Sequence, residues 1–375
     1  MQIVIIMGPF GYIPPKGIGA IEKLWYDLAL EFIKKGHGVE IISKKPVGFQ
    51  VSDTGNEDIE HIYIPGYRRG AHLAKDLFFD FIYSFNALRK VKKTDILIMN
   101  TFWSPLLCRL FRYKYSVSVY NVARYPKGQY RYYCWTDMFC CVSTAVERAL
   151  KKQLPDKKDK IRTINNPIDT NIYTYRKKET TDDLIIMYHG RIHPEKGLNI
   201  LVLAVETLRV KYPGINLVFV GARDIASGGG GEQYVRQLEK MAKGRITWAD
   251  PISNPSLLAE KIASCDIYCY PSVAEKGETF GVSPLEAMGI GRPVIVSALE
   301  CFNDFIEDGV NGFVFDHRSP NAVEELASII EQLMEHPDWR KEIGVEAFRS
   351  SRRFSNSHIA DQYLSEFKIL LNNHG

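Results

Sequence analysis

Short apolar runs rich in β-branched residues alternate with amphipathic stretches of helical period along nearly the whole chain, and this alternation restricts the fold more than any other feature. The opening MQIVIIMG reads as a strand, GPFGYIPPKGIG as a Gly/Pro loop and AIEKLWYDLALEFIKKG as a helix. Strands are expected next at GHGVEIIS, IEHIYIP, TDILIMN, YKYSVSVY, DMFCCVS and KIRTINN. The long helix AHLAKDLFFDFIYSFNALRKVKK and other helical segments fall between most of them. Such a series predicts an α/β domain with a mainly parallel sheet. At NNPIDTNIYTYRKKETTDD the apolar period lapses for about 20 residues, which marks a linker. A second series follows, with strands at LIIMYHG, INLVFVG, RITWAD, CDIYCYP, RPVIVS and NGFVFD and a helix from about Glu195. The chain is expected to be helical from about Asn321 to Leu371, and GGGG at 228–231 to be a flexible loop.

A chain of 375 residues is about twice the usual domain size, so two domains agree with the two series. The expected division is 1–166, 167–354, and a final helix over 355–375 packing back toward the first domain. Two doubly wound domains put a cleft between two sheet edges, where small molecules are commonly held. With 45% apolar and 25% charged residues, the chain is neither disordered nor fibrous. No apolar run approaches the roughly 18 to 20 residues that cross a bilayer, and the opening lacks the basic segment of a signal peptide, so a cytoplasmic protein is expected. The seven cysteines form no C-x-x-C pair and several lie in apolar stretches, as reduced core thiols do. Residues 1–175 carry 26 Lys and Arg against 16 Asp and Glu, whereas 176–375 carry 22 against 28. The basic first half favours an anionic partner, such as the inner face of the plasma membrane.

Three segments have residue types that suggest chemistry. In GETFGVSPLEAMGIGRPVIVS, Glu278 and Glu286 flank Gly281 and Pro284, and a helix starting near Gly281 would bring both carboxylates toward one ligand. Amides from about Phe280 to Ser283 would then be free to bind oxygen atoms. Two glutamates near a helix start also suit the macrodipole with no ligand at all, and the spacing alone does not decide. In YHGRIHPEKG, Arg191 and Lys196 flank a Pro-Glu helix start, where cations oppose the macrodipole. An anion gripped between them would remove that conflict, and a plain solvated loop is the other reading. In PPKGIGAIEK, Gly17 and Gly19 permit close backbone approach or simply a tight turn, and the absence of G-x-G-x-x-G argues against a dinucleotide site.

Taken together, IPPKGIGAIEK, GHGVEII, VSTAVERAL, NNPIDTNIY, GRIHPEKG and PSVAEKGETFGVSPLEAMGIGRPVIVS resemble the retaining glycosyltransferases of family four, over nearly the whole chain. The last segment is similar to their E-x7-E signature. The resemblance implies the GT-B fold, two Rossmann-like domains with mainly parallel sheets facing a central cleft. It implies that Arg191 and Lys196 hold the donor diphosphate, that Glu286 takes the ribose hydroxyls and that Glu278 contacts the sugar beside the amides of Phe280 and Gly281. Gly190, Thr279 and Val282 would complete the donor site, Ile252 would lie against the base, and Gly17 and Gly19 would approach the diphosphate. No cofactor and no metal is implied, and no Asp-x-Asp pair occurs. The co-substrate would be a nucleoside-diphosphate sugar, UDP in preference to GDP.

One departure from the family stands out. Many relatives end a first-domain strand with His, which reaches the donor sugar, whereas this chain has Tyr120 and Asn121 there, expected with Arg124 and Lys127 on the acceptor side. Arg124, Lys127 and Arg131 alternate with tyrosines beyond them, as in an acceptor-phosphate site or an ordinary solvated loop. His189 and His193 are expected to be structural. The implied activity is sugar transfer to a glycan or lipid-linked acceptor with retention, in bacterial surface-polysaccharide assembly, on the cytoplasmic side and peripheral to the membrane. An epimerase with the same donor site and a non-catalytic binder of anionic membrane surfaces remain alternatives. The stripe Phe78, Phe79, Phe81, Phe85 is expected to be a buried face, which leaves the basic residues as the membrane-binding surface.

Overall fold

The computed structural model describes residues 1–14, 19–45, 59–68, 70, 72–178, 184–243 and 245–374. The chain divides into two units, one comprising Met1–Pro167 with Asn356–Gly375 and the other Ile168–Ser355. The first unit contains β1 (Gln2–Ile6), β2 (Gly38–Lys44), β3 (Glu60–Ile64), β4 (Thr94–Met99), β5 (Tyr115–Val122), β6 (Met138–Cys141) and β7 (Ile161–Thr163). They form one sheet of order β3-β2-β1-β4-β5-β6-β7, parallel throughout. Parallel strands need crossovers, and α1 (Ala20–Lys34), α2 (Leu73–Lys90), α3 (Ser104–Leu107) and α4 (Thr144–Gln153) provide them with intervening turns. A 3₁₀ segment, Cys108–Lys114, leads from α3 into β5. Ser143 caps α4 by accepting from the Val146 amide.

The second unit has β8 (Leu184–His189), β9 (Ile215–Val220), β10 (Ile246–Ala249), β11 (Ile267–Tyr270), β12 (Val294–Ser297) and β13 (Phe313–Phe315). Their order is β10-β9-β8-β11-β12-β13, again all parallel. The helices are α5 (Leu198–Leu208), α6 (Gly231–Met241), α7 (Pro255–Ala263), α8 (Val282–Ile290), α9 (Ala322–Glu335) and α10 (Pro337–Ser351). In each unit the strand order reverses once, between β1 and β4 and between β8 and β11, and the carboxyl ends of those strands are where ligands sit in open α/β sheets. The expected α/β class and its two parallel sheets are therefore present.

After α10 the chain returns to the first unit as α11 (Asn356–His374). Ile359, Ala360, Tyr363, Leu364 and Phe367 enter the same core as Trp25, Phe32 and the inward residues of β1. Tyr363 lies 5.4 Å from Trp25 and Phe367 6.1 Å from Phe32, ring to ring. Burial of a large apolar side chain contributes about 2 to 3 kcal/mol, so α11 is an integral layer of that unit.

Four expectations require correction. The helix expected from about Glu195 is a 3₁₀ turn, Pro194–Lys196, and α5 starts only at Leu198. Gly197 intervenes at φ +63, where a Cβ would overlap the Pro271 carbonyl, so the turn closes before the helix opens. The run 228–231 is held by backbone bonds: Gly229 to Asp224, Gly230 to Ile192 and Gly231 to Arg223, at 2.8, 2.7 and 2.9 Å. Cys134 is exposed, and only the other six cysteines are buried, all seven being free. Finally, Phe78, Phe81 and Phe85 are 61%, 40% and 36% exposed. The inward face of α2 is instead Asp80, Tyr83, Ser84, Ala87 and Leu88.

Candidate active site

The reversal between β8 and β11 gathers most of the charged residues singled out in the second unit. His189 ends β8, and Gly190 follows at φ +142, where its amide bonds the Val220 carbonyl at 2.9 Å. Arg191 comes next. Its guanidinium donates to Glu195 Oε1 at 2.6 Å and to the Gly228 carbonyl at 3.2 Å, with nearly half of the side chain exposed. The glycine run thus braces Arg191, and a Cβ on Gly228 would lie 3.0 Å from its Cδ.

Lys196 is buried. Its ammonium donates to Glu278 Oε2 at 2.7 Å and to the Tyr270 hydroxyl at 2.9 Å, and that hydroxyl donates to the same carboxylate oxygen at 3.0 Å. Tyr270 ends β11 and stacks on Tyr188 at 5.4 Å. Burial, followed by the Glu278 charge, holds both phenols well above their ordinary pKa, so each remains a neutral donor. The cations at 191 and 196 are therefore not a bare pair awaiting an anion, because each already has a carboxylate. A phosphate arriving here would exchange with Glu195 and Glu278 rather than fill an empty clamp.

Glu286 lies in the second turn of α8 and is 8% exposed. His189 Nε2 is 2.9 Å from its Oε2, and the Tyr268 hydroxyl is 3.0 Å from His189 Nδ1. His189 and Tyr268 are partners that sequence reasoning missed. The available signal was the period-two Tyr268 and Tyr270 on β11 beside the Tyr188-His189 end of β8, an adjacency that needs the strand order to be read. Gly281 caps α8 at φ +92, and a Cβ there would meet Phe302 Cε1 at 2.5 Å. The helix thus begins one residue beyond a position that only glycine fills without strain, and the first-turn amides point outward along the axis. Phe280 is fully buried against Phe305 at 5.2 Å, leaving only its backbone for a ligand, while Thr279 and Val282 are half-buried.

The remaining candidates are on other elements. Ile252 is half-buried in the loop after the edge strand β10. Gly19 precedes α1, with Glu22 against it, and Gly17 lies outside the described residues. In the first unit, Tyr120 is buried in a ring cluster with Tyr133 and Tyr130, at 5.1 and 5.7 Å. Asn121 donates to Asn100 Oδ1 at 2.9 Å, as Trp25 Nε1 does at 2.7 Å. This leaves Asn121 Oδ1 a buried acceptor with no partner among the described residues. Arg124 and Lys127 are exposed.

Residues 171–349 match the family model described as glycosyl transferases group 1, and residues 21–172 match the one described as glycosyltransferase family 4. The chain is 27% identical over 226 residues to the D-inositol 3-phosphate glycosyltransferase of Stackebrandtia nassauensis, covering 56% of this chain and 48% of that protein. The matches span about half the length of such curated relatives or less. In fold it is similar to a glycosyltransferase of Rickettsia africae, with a TM-score of 0.77, 19% identity and 99% of each chain covered. It is also similar to Anabaena HepE in complex with UDP and glucose, with a TM-score of 0.72, 19% identity and 98% and 99% of the two chains covered.

Proposed function

The chain belongs to the glycosyltransferases of group 1 and family 4, with the GT-B fold, and from that premise we propose that it moves a sugar from a nucleoside-diphosphate donor to a glycan or lipid-linked acceptor with retention. The observation that carries this reading is the pair of buried contacts at the β8–β11 reversal, Lys196 with Glu278 and His189 with Glu286. They gather Lys196, Glu278 and Glu286 beyond the carboxyl ends of β8 and β11, which supports reading them as a cation for the phosphate, a carboxylate for the sugar and a carboxylate for the ribose. Arg191 and Lys196 balance the charge that develops on the departing diphosphate, and this electrostatic stabilisation supplies most of the rate, with no metal required. The leaving phosphate oxygen accepts the proton of the acceptor hydroxyl on the face it leaves. Glu286 accepts from the ribose hydroxyls, and Glu278, released from Lys196 as the phosphate arrives, accepts from the sugar. The amides at the head of α8 add donors for the phosphate.

On the acceptor side, Asn121 Oδ1 accepts from a substrate hydroxyl, and Arg124 and Lys127 meet an acceptor phosphate. The basic first half suits an acceptor at an anionic membrane surface on the cytoplasmic side, in surface-polysaccharide assembly. UDP is the favoured nucleotide, supported by the UDP bound to the HepE neighbour. A panel of nucleotide sugars, read by thermal shift and by slow donor hydrolysis with and without chelator, tests the proposal. The expected result is stabilisation by one UDP-sugar and release of UDP and free sugar, unaffected by chelator. Conversion of the donor to an epimer, or no stabilisation by any nucleotide sugar, would overturn it.

A further inference from the structure

We propose that the outward face of α2, continued by the 3₁₀ segment Cys108–Lys114, is the surface by which the first unit lies on an anionic bilayer, its aromatic side chains entering the headgroup layer. The inference rests on the reading that the chain works at an anionic membrane surface, and it names the face that meets that surface.

An amphipathic helix packed on a sheet turns its polar side to water. Helix α2 does not. Its inward face is Asp80, Tyr83, Ser84, Ala87 and Leu88, while the outward face presents Leu73, Phe78, Phe81 and Phe85, exposed by 75%, 61%, 40% and 36%. Residues 78, 81 and 85 follow one stripe at helical spacing. The stripe does not end with the helix. Phe85 meets Phe111 edge-on at 5.8 Å, and the same 3₁₀ segment exposes Leu110 by 64% and Tyr113 by 75%.

The segment that carries this apolar face is predominantly basic. Residues 66–135 contain thirteen Lys and Arg and three Asp. Each Asp is engaged by a backbone amide: Asp76 by Gly70 at 2.7 Å, Asp80 by Trp103 at 3.1 Å and Asp95 by Gln2 at 2.7 Å. Several cations lie over the rings themselves: Lys75 over Phe79 at 5.7 Å, Lys114 over Phe111 at 5.4 Å and Arg109 over Trp135 at 4.3 Å.

Rings flanked by cations and ended by leucines suit the boundary between acyl chains and anionic headgroups, where rings and Lys or Arg stems bury while the charges stay among phosphates. A second copy of the same face would set cations against cations, which argues against self-association. No helix among the described residues is long and apolar enough to cross a membrane, so the contact proposed is one of lying on the surface.

Flotation with vesicles containing about 30% anionic phospholipid decides the matter, compared with neutral vesicles, at salt from about 0.1 to 0.5 M. The wild-type chain is expected to float with anionic vesicles and to release as salt rises. The variant Phe78→Ser/Phe81→Ser/Phe85→Ser should partition at least about tenfold less while keeping its thermal midpoint within about 5 °C. A second variant, Leu110→Ser/Tyr113→Ser, lies off the helix and should also lose partition if the triple variant proves unstable. Failure of the wild-type chain to bind any vesicle would overturn the membrane reading and this inference together. Wild-type binding that survives both variants would overturn this inference alone. Equal recovery from neutral and anionic vesicles would do the same, as would a wild-type oligomer that the triple variant dissolves or capture of an acidic protein through this face in the absence of lipid binding.

Discussion

Lys196 Nζ lies 2.7 Å from Glu278 Oε2, a contact between side chains 82 residues apart in sequence that is held in a nearly dry setting. Removing one member of a buried ion pair leaves the other charge unmatched, at a cost of about 3 to 5 kcal/mol, whereas an exposed pair is worth at most about 1 kcal/mol. Lys196→Ala should therefore lower unfolding free energy by roughly 3 kcal/mol, and Arg191→Ala, in the half-exposed pair with Glu195, by about 1 kcal/mol or less. Both should reduce turnover by at least about a hundredfold. Denaturant unfolding alongside donor-saturated kinetics separates the two effects. Near wild-type turnover in both variants would remove the diphosphate role.

The two glutamates should separate binding from transfer. Glu286→Gln is expected to weaken nucleotide affinity by about 1 to 3 kcal/mol, the cost of an unsatisfied hydroxyl partner. Glu278→Gln should not weaken free nucleotide binding, since it releases Lys196 to the diphosphate, and should slow sugar transfer. Calorimetry with the free nucleotide, set against transfer rates with the sugar nucleotide, reads the difference. The opposite pattern would exchange the roles.

His189 tests whether Glu286 needs orientation. With Nε2 on the carboxylate and Nδ1 on Tyr268, the ring fixes one oxygen of Glu286. His189→Phe should weaken nucleotide binding in the same direction as Glu286→Gln, and the double variant should lose less than the two single losses combined, because the residues act as one unit. Strict additivity would mean that His189 serves packing only.

Asp80 gives a pH signature in the first unit. Burial raises its pKa, opposed by hydrogen bonds from the Trp103 and Phe102 amides and from Ser84. The folded chain holds this proton to higher pH than the unfolded chain, so the associated stability is full at low pH and is lost as pH rises through the folded pKa. Asp80→Asn keeps an acceptor for Trp103 and Ser84. It should raise the thermal midpoint by a few degrees at about pH 7, with the gain vanishing near pH 3. Differential calorimetry at the two pH values checks the sign, and a loss of midpoint at neutral pH would contradict it.

The two sheets were legible because strands buried on both faces are continuous apolar runs, and these runs recur with helical stretches between them. Charge pairing was not legible. Arg191 and Lys196 appeared to need an outside anion because Glu278 could be matched to Lys196 only through the placement of β11 beside β8, and the expected helix over 195 hid the turn in which Glu195 meets Arg191. The aromatic stripe failed for a different reason. Helix α2 has apolar residues on two faces, and periodicity finds both without saying which one meets the sheet. Tyr83, Ala87 and Leu88 meet it, and Phe78, Phe81 and Phe85 do not.

The return of α11 to the first unit sets an order on biosynthesis. The second unit occupies one continuous stretch, Ile168–Ser355, so all of it is synthesised before α11 is. The first unit lacks Tyr363 and Phe367 from its core until α11 has been made. Domains usually fold in the order in which they are made. Here the earlier-made sheet waits with Trp25 and Phe32 uncovered while the later-made one closes, and released chains truncated before residue 356 should expose the first unit to protease and protect the second.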